Sequence, residues 1–313
     1  MRAMSNLKLY LSEQYRSFKR SRFLLLIMVP GIIYYVVFHY LPMYGLIIAF
    51  KDFNVFEGII KSPWAANYGF KHFLELFNLP VFYRILKNTV LLSLNTIVFT
   101  FPAPIILALC LNEAKADVWK KTVQTVSYLP HFISTVVICG MVTNFLSLSG
   151  LVNDIISLFG LKRIQFLLYP QYFRTIFVAT EIWQQTGWNS ILYMAALSQI
   201  NPELYEACKI DGANRLQQIL YINIPGIIPT AMILLIFKIG GIMNMGFEKV
   251  LLLYNPNIYE TADVIGTFVY RRGIVGAEFS FSTAVGFFQS VIGFVLVVIA
   301  NRIARKVNEV SLW

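Results

Sequence analysis

Charge is what this chain has least of. Of its 313 residues only 13% are Asp, Glu, Lys or Arg, about half the share of a soluble domain, which excludes an ordinary water-facing surface. Cysteine is equally scarce: Cys110, Cys139 and Cys208 show no metal-ligand or disulfide-framework spacing and are expected to be small buried hydrophobes. No G-x-x-x-x-G-K-[ST] loop, zinc signature or G-x-S-x-G elbow occurs, so neither catalysis nor a bound metal or cofactor is expected. His39, His72 and His131 are isolated in the sequence and suit structural or interfacial places. The 26 basic residues outnumber the 16 acidic ones. They cluster at the ends of apolar runs instead of interleaving with aromatics, a pattern of membrane topology and anionic lipid that leaves no nucleic-acid partner expected.

What is abundant is apolar. Hydrophobic residues make up 57% of the chain and aromatics 15%, and a span needs roughly 20 apolar residues at 1.5 Å each. Six stretches qualify, at about 23–48, 86–111, 123–146, 175–198, 225–247 and 280–301. The expectation is an all-α integral membrane protein with one six-span domain over 23–301. The first run is too long for a signal-peptide core and lacks a small-residue cleavage site, so it is expected to remain as a span. Pro30 and Pro42 predict a kinked or divided first helix, and "FPAP" at 101–104 raises the same expectation for the second.

Orientation follows from the basic residues. Fourteen of them fall in the segments 1–22, 112–122, 199–222 and 301–313, which favours a multi-pass arrangement in the cell membrane with both termini cytoplasmic. Leu7, Leu11, Tyr15 and Phe18 follow helical spacing, so 1–22 is expected to lie as an amphipathic helix on the inner leaflet. Residues 302–313 form a cytoplasmic tail. The connections 49–85, 147–174 and 248–279 hold aromatic and turn residues ("SPWAANYGF", "LLYNPNIYE") suited to short helices at the outer interface.

The inner loop 199–222 carries the sharpest local signals. Asn201 is a good N-cap, Pro202 suits the first helical position, Glu203 complements the helix dipole and Gly212 supplies a left-handed stop. A helix of about ten residues should therefore lie along the membrane, a second should run from Ala213 to Tyr221, and Pro225 should open the fifth span. Small Ala207, Cys208, Gly212 and Ala213 permit close approach of another surface, and Leu204 and Ile210 offer apolar contacts beside Glu206 and Asp211. Packing against the chain's own bundle is the plainer alternative.

The order Glu206-Ala207-Cys208, then Asp211-Gly212-Ala213, then Ile224-Pro225 and Pro229 resembles the cytoplasmic signature of permease subunits of binding-protein-dependent ABC importers: Glu-Ala-Ala, Asp-Gly-Ala, Leu-Pro and a second Pro. Cys208 and Ile224 depart from it but keep small or apolar character. The stretches "LPMYGLIIAFKDFN", "YLPHFISTVVICGMV" and "GFEKVLLLYNP" look like the carbohydrate-uptake branch, and more narrowly the subgroup handling oligosaccharides from plant or algal polysaccharides. The resemblance implies a type I importer transmembrane domain whose coupling helix, residues 203–212, sits in a groove on an ATP-hydrolysing subunit. Glu203, Glu206, Ala207, Cys208, Asp211, Gly212, Ala213 and Pro225 would carry that contact. Its implied partners are an ATP-binding subunit dimer holding ATP and Mg, a second homologous permease, an extracellular substrate-binding lipoprotein and an oligosaccharide.

Polar residues inside the fourth and fifth spans raise a separate question. Ionisable groups at mid-bilayer cost about 2.5–3.5 kcal/mol and usually face a bundle interior or a water-filled path. In "EIWQQTGWNS", Glu181, Gln184, Gln185 and Trp188 share a helical face with Asn189 flanking. Carboxylate and amides for hydroxyls, beside indoles for the C–H face of a ring, are sugar-path chemistry; interhelical hydrogen bonding is the alternative. The resemblance places substrate contacts on the fourth and fifth spans, near Gly187, Trp188 and Asn244. Lys238 either lines the same path or pairs with Glu181. A different class, an ion-coupled secondary transporter using Glu181, is the rival reading; the docking loop and the lack of a recognisable inverted repeat weigh against it.

Overall fold

The computed structural model describes residues 21–114 and 116–308. The expected amphipathic helix over 1–22, apart from its last two residues, and the end of the tail from 309 on lie outside the described residues. Among these residues the elements are helices and turns, with one isolated bridge between Lys51 and Trp64 and no strand. The chain divides into two compact units, Met1–His72 and Phe73–Trp313.

In the first unit, α1 (Arg22–Tyr35) continues through a π turn at Val36–Tyr40 and an α turn at Leu41–Met43 into a 3-10 stretch at Tyr44–Phe50. Pro30 and Pro42 do not divide it. The Leu41 N–H reaches back to the Val36 carbonyl, and this wider turn re-registers the hydrogen bonds just before Pro42, which has no donor. No residue of its apolar window is buried. The connection that follows is tied by Lys51, whose Nζ donates to the carbonyls of Ile59 and Ile60 at 2.8 and 2.9 Å and lies over the Trp64 ring.

The second unit contains α2 (Phe82–Thr100) and α3 (Pro102–Glu113), which run on as one apolar stretch because the Phe101 N–H still bonds to Ile97. Next come α4 (Asp117–Tyr128), its 3-10 extension Leu129–Phe132, and α5 (Thr135–Phe145). The expected span 123–146 is not one helix: the pair is bent by 100°. Pro130 lacks a donor, Ile133 leaves helical geometry at ψ 133°, and the Ser134 hydroxyl accepts from the Val137 N–H to start a new helix.

The remaining helices are α6 (Pro170–Leu197), α7 (Pro202–Ile210), α8 (Ile224–Gly240), α9 (Phe247–Leu253), α10 (Ile265–Tyr270) and α11 (Phe279–Asn308). Leu25–Phe50, Phe82–Glu113, Arg215–Gly240 and Phe279–Lys306 are long and apolar enough to cross a membrane, and the bent pair makes a fifth if taken as one span. At 28 residues, or about 42 Å, α6 is long enough too, but its polar residues keep it from qualifying by hydropathy. It packs against α2, α3, α4 and α8, where protein replaces lipid around those groups. Phe173, Phe177 and Val178 of α6 form one buried cluster with Val250 and Leu253 of α9, and Tyr193 and Leu197 form another with Ala108 and Ile227.

Two boundaries differ from the sequence reading. The short helix from Arg215 is not separate: a π turn at Ile219–Asn223 joins it to α8, so Pro225 lies within one continuous helix rather than opening it. The fifth span ends at Gly240, not 247. Residues 241–246 form a turn in which Gly246 takes φ 74° and faces Phe177, where a Cβ would stand 2.3 Å from the ring. Two of its freed carbonyls are covered: Ser93 donates to Ile242 at 2.6 Å and Gln289 to Met243 at 2.9 Å, as buried backbone oxygens require.

Candidate transport path and coupling loop

The coupling loop is built as its residues dictate. The Asn201 side chain accepts from the Glu203 N–H at 3.1 Å with Pro202 at the first helical position. At the other end Gly212 adopts φ 78°, its N–H donates to Lys209 and the Ala213 N–H to Cys208. That is a Schellman stop, which needs a left-handed residue at Gly212. Glu203, Glu206, Ala207, Asp211 and Gly212 are exposed, Cys208 and Ala213 are half-buried, and Pro225 is exposed at the second position of α8. Leu204 and Ile210 are 53% and 87% exposed. The loop is anchored from behind: the Tyr205 hydroxyl donates to the Asn223 side chain at 2.5 Å, and Asn223 is fully buried in the π turn. Burial, and secondly the charge of Glu113, push the Tyr205 hydroxyl above its ordinary pKa, so it remains a donor at neutral pH.

The polar residues of α6 separate into three groups. Glu181 is paired with Lys249 of α9 rather than with Lys238. The Lys249 amine also donates to Gln184 at 2.7 Å and is 3% exposed. Lys249 escaped the sequence reading because helical phase carried past Gly240 breaks down at the turn; the only signal was a basic residue three positions after a glycine-bounded break.

The second group contains Gln185 and Trp188. The His131 ring stacks on Trp188 with centroids 4.5 Å apart and planes 2° from parallel, and its Nδ1 is hydrogen-bonded to Gln185 Oε1 at 3.0 Å. Phe132 meets Trp188 edge-on. His131, isolated in sequence, is therefore part of this polar-aromatic surface, on which Trp188 stays 39% exposed. Gly187 is buried on α6 against α4, where a Cβ would stand 2.0 Å from the Ser127 carbonyl oxygen, so the two helices pack closely there.

Asn189 and Lys238 make the third group, lining a pocket of about 290 Å³ with Phe101, Tyr193 and Phe237. Lys238 donates to the Thr100 hydroxyl at 3.0 Å. Asn244, expected on the fifth span, stands on the turn after it and lines a different pocket of about 400 Å³ with Thr89, Phe247 and Tyr270. Among the cysteines only Cys139 is buried; Cys110 is exposed and Cys208 half-buried, since both lie on outward helix faces. Among the described residues no cluster of His, Cys, Asp and Glu could hold a metal ion.

The chain is similar to known membrane proteins over most of its length. The permease protein YteP of the Bacillus subtilis polygalacturonan/rhamnogalacturonan transport system is 44% identical over 296 residues, covering 94% of this chain and 91% of YteP. LplB of the same organism is 41% identical, covering 94% of this chain and 92% of its own. A chain in the crystal structure of a bacterial alginate ABC transporter, solved in complex with an alginate pentasaccharide-bound periplasmic protein, superposes with a TM-score of 0.87 at 43% identity. That match covers 95% of this chain and 99% of the solved one. Residues 23–309 match the family of binding-protein-dependent transport system inner membrane components, and the chain belongs to that family as an integral membrane permease.

Proposed function

We propose that this permease forms one half of an ATP-driven importer and passes an oligosaccharide, a fragment of a plant or algal polysaccharide, into the cell. The observation that carries the reading is the exposed face of α7. A helix capped at both ends displays Leu204 and Ile210, is anchored to the base of α8 through Tyr205 and Asn223, and resembles a docking element for a motor subunit. A separate ATP-binding subunit dimer would hold ATP and Mg against this face, a second homologous permease would complete the path, and an external binding lipoprotein would deliver the sugar. Both termini would then be cytoplasmic.

Substrate would travel along the polar-aromatic surface of α6. Trp188, stacked on His131, supplies a ring face, while Gln185 and Asn189 offer amide groups for hydroxyls. Ion coupling through Glu181 loses support, because Lys249 already neutralises that carboxylate. In cells carrying the complete transporter, loss of the ATP-binding subunit is expected to abolish oligosaccharide uptake while a protonophore at constant ATP leaves it intact. Uptake that persists without the subunit and collapses with the protonophore would overturn the importer reading.

A further inference from the structure

Two contacts fix the His131 ring against α6. Its face lies on the Trp188 indole with centroids 4.5 Å apart and planes 2° from parallel, and its Nδ1 meets the Gln185 side-chain oxygen at 3.0 Å. An amide oxygen only accepts, so Nδ1 donates the proton. Gln185 and Trp188 stand one helix turn apart and share a face of α6, which lets a single imidazole engage both. Phe132 closes the edge of the indole at 5.3 Å, with planes 82° apart.

Local backbone features bring the ring there. Pro130 is buried in the 3-10 extension of α4, and the Ile133 N–H bonds back to its carbonyl at 3.2 Å, so the chain turns tightly at residue 131. On α6 the residue before Trp188 is Gly187, which has no side chain to hold α4 away. The extension therefore packs directly on α6.

An indole that is 39% exposed on a helix has several staggered rotamers open to it. A ring stacked on one face and another against its edge remove that freedom and leave the second face for a ligand. An indole already fixed loses less entropy when a sugar ring settles on it. Gln185 gains a direction as well: His131 engages its oxygen, so its NH2 group is the part left to donate to hydroxyls.

We propose that His131 is a positioning residue for sugar passage: it holds Trp188 in the orientation that offers one open face, and it sets Gln185 as a donor beside that face. The proposal rests on the reading of α6 as the sugar path and adds to it a residue from another helix.

The test uses the complete transporter with its binding protein in proteoliposomes, with galacturonate and mannuronate trisaccharides as probes and uptake expressed per assembled complex. His131→Ala is expected to lower uptake about fivefold, the size of effect that aromatic stacking accounts for, with the amount of assembled complex unchanged. His131→Phe, which keeps the stack, should recover most of the loss, and His131→Gln, which keeps only a polar contact, should not. Trp188→Leu should lower uptake at least as much, and His131→Ala added to it should cost nothing further, because no indole is left to position. In complex labelled with 5-fluorotryptophan, the fluorine signal that Trp188→Leu removes should be sharp in wild type and broadened or split in His131→Ala. Additive losses, an unchanged Trp188 signal in His131→Ala, rescue by Gln rather than Phe, or a loss explained by reduced assembly would each overturn the positioning role and leave the sugar path standing. Trp188→Leu transporting like wild type would remove the sugar path on α6 together with the proposal, and the absence of ATP-dependent uptake of either probe would remove the importer reading as well.

Discussion

Among single residues, the buried Lys249 has the clearest energetic signature. It is 3% exposed and bound to Glu181 and Gln184. Removing one member of a buried ion pair strands the other and costs about 3–5 kcal/mol, whereas replacing both by neutral groups of similar size is far milder. Lys249→Met is therefore expected to lower the thermal unfolding midpoint of the purified complex sharply, and Lys249→Met with Glu181→Gln to recover most of the loss. A double variant no more stable than the single would show that the pair does not stabilise the fold. That Glu181 needed a partner was legible in the sequence, because a carboxylate in an apolar helix must face one. Which partner was not: Lys238 stands on α8, but the turn at 241–246 ends that helix and Lys249 beyond it pairs with Glu181 instead. Likewise the ring of His131 meets Trp188 because α4 and its 3-10 extension pack on α6, a contact between residues far apart in the chain that no local pattern signals.

Among the elements, α7 was read almost completely in advance, since its cap, first-turn proline and terminal glycine are local devices that act over four residues or fewer. The π turn at Ile219–Asn223 was not legible, because it answers a tertiary demand: it merges the second inner helix with α8 and places Asn223 under Tyr205. Two substitutions separate docking from anchoring. Gly212→Val forces a β-branched residue to φ 78° in otherwise open space, a backbone strain of about 1–3 kcal/mol, and is expected to abolish transport by deforming the docking face while the chain still inserts. Tyr205→Phe keeps that face but leaves the buried Asn223 without its donor, a loss of about 1–3 kcal/mol. The expected outcome is ATP hydrolysis within about twofold of wild type with transport several-fold lower. Equal losses in both rates would place Tyr205 in docking rather than in transmission.

On the scale of the whole molecule, the stretch of the second unit from residue 254 to 271 is held by charge as well as by apolar packing. Arg271 forms a bidentate pair with Asp263 at 2.9 and 2.7 Å and lies over the Tyr259 ring. Burial works against its charge, but the hydrogen bonds to Asp263 and Tyr254 more than offset that and hold its pKa above the ordinary arginine value. Asn88 of α2 donates to the carbonyls of Glu260 and Asp263 and accepts from Arg174 of α6, so two long helices and the connection after α9 share one polar knot. The all-helical membrane class and most span positions were visible in composition and run length, since lipid allows few alternatives; the knot, which joins residues far apart in the chain, was not. One feature of α6 bears on how the protein is made. This helix is too polar to qualify as a span by itself, and the lysine that neutralises its glutamate follows 68 residues later in the chain. Release of α6 from the insertion machinery into lipid must therefore wait for later segments, and a nascent chain halted after Gly240 is expected to leave Glu181 reachable by water-soluble reagents until synthesis extends past Lys249.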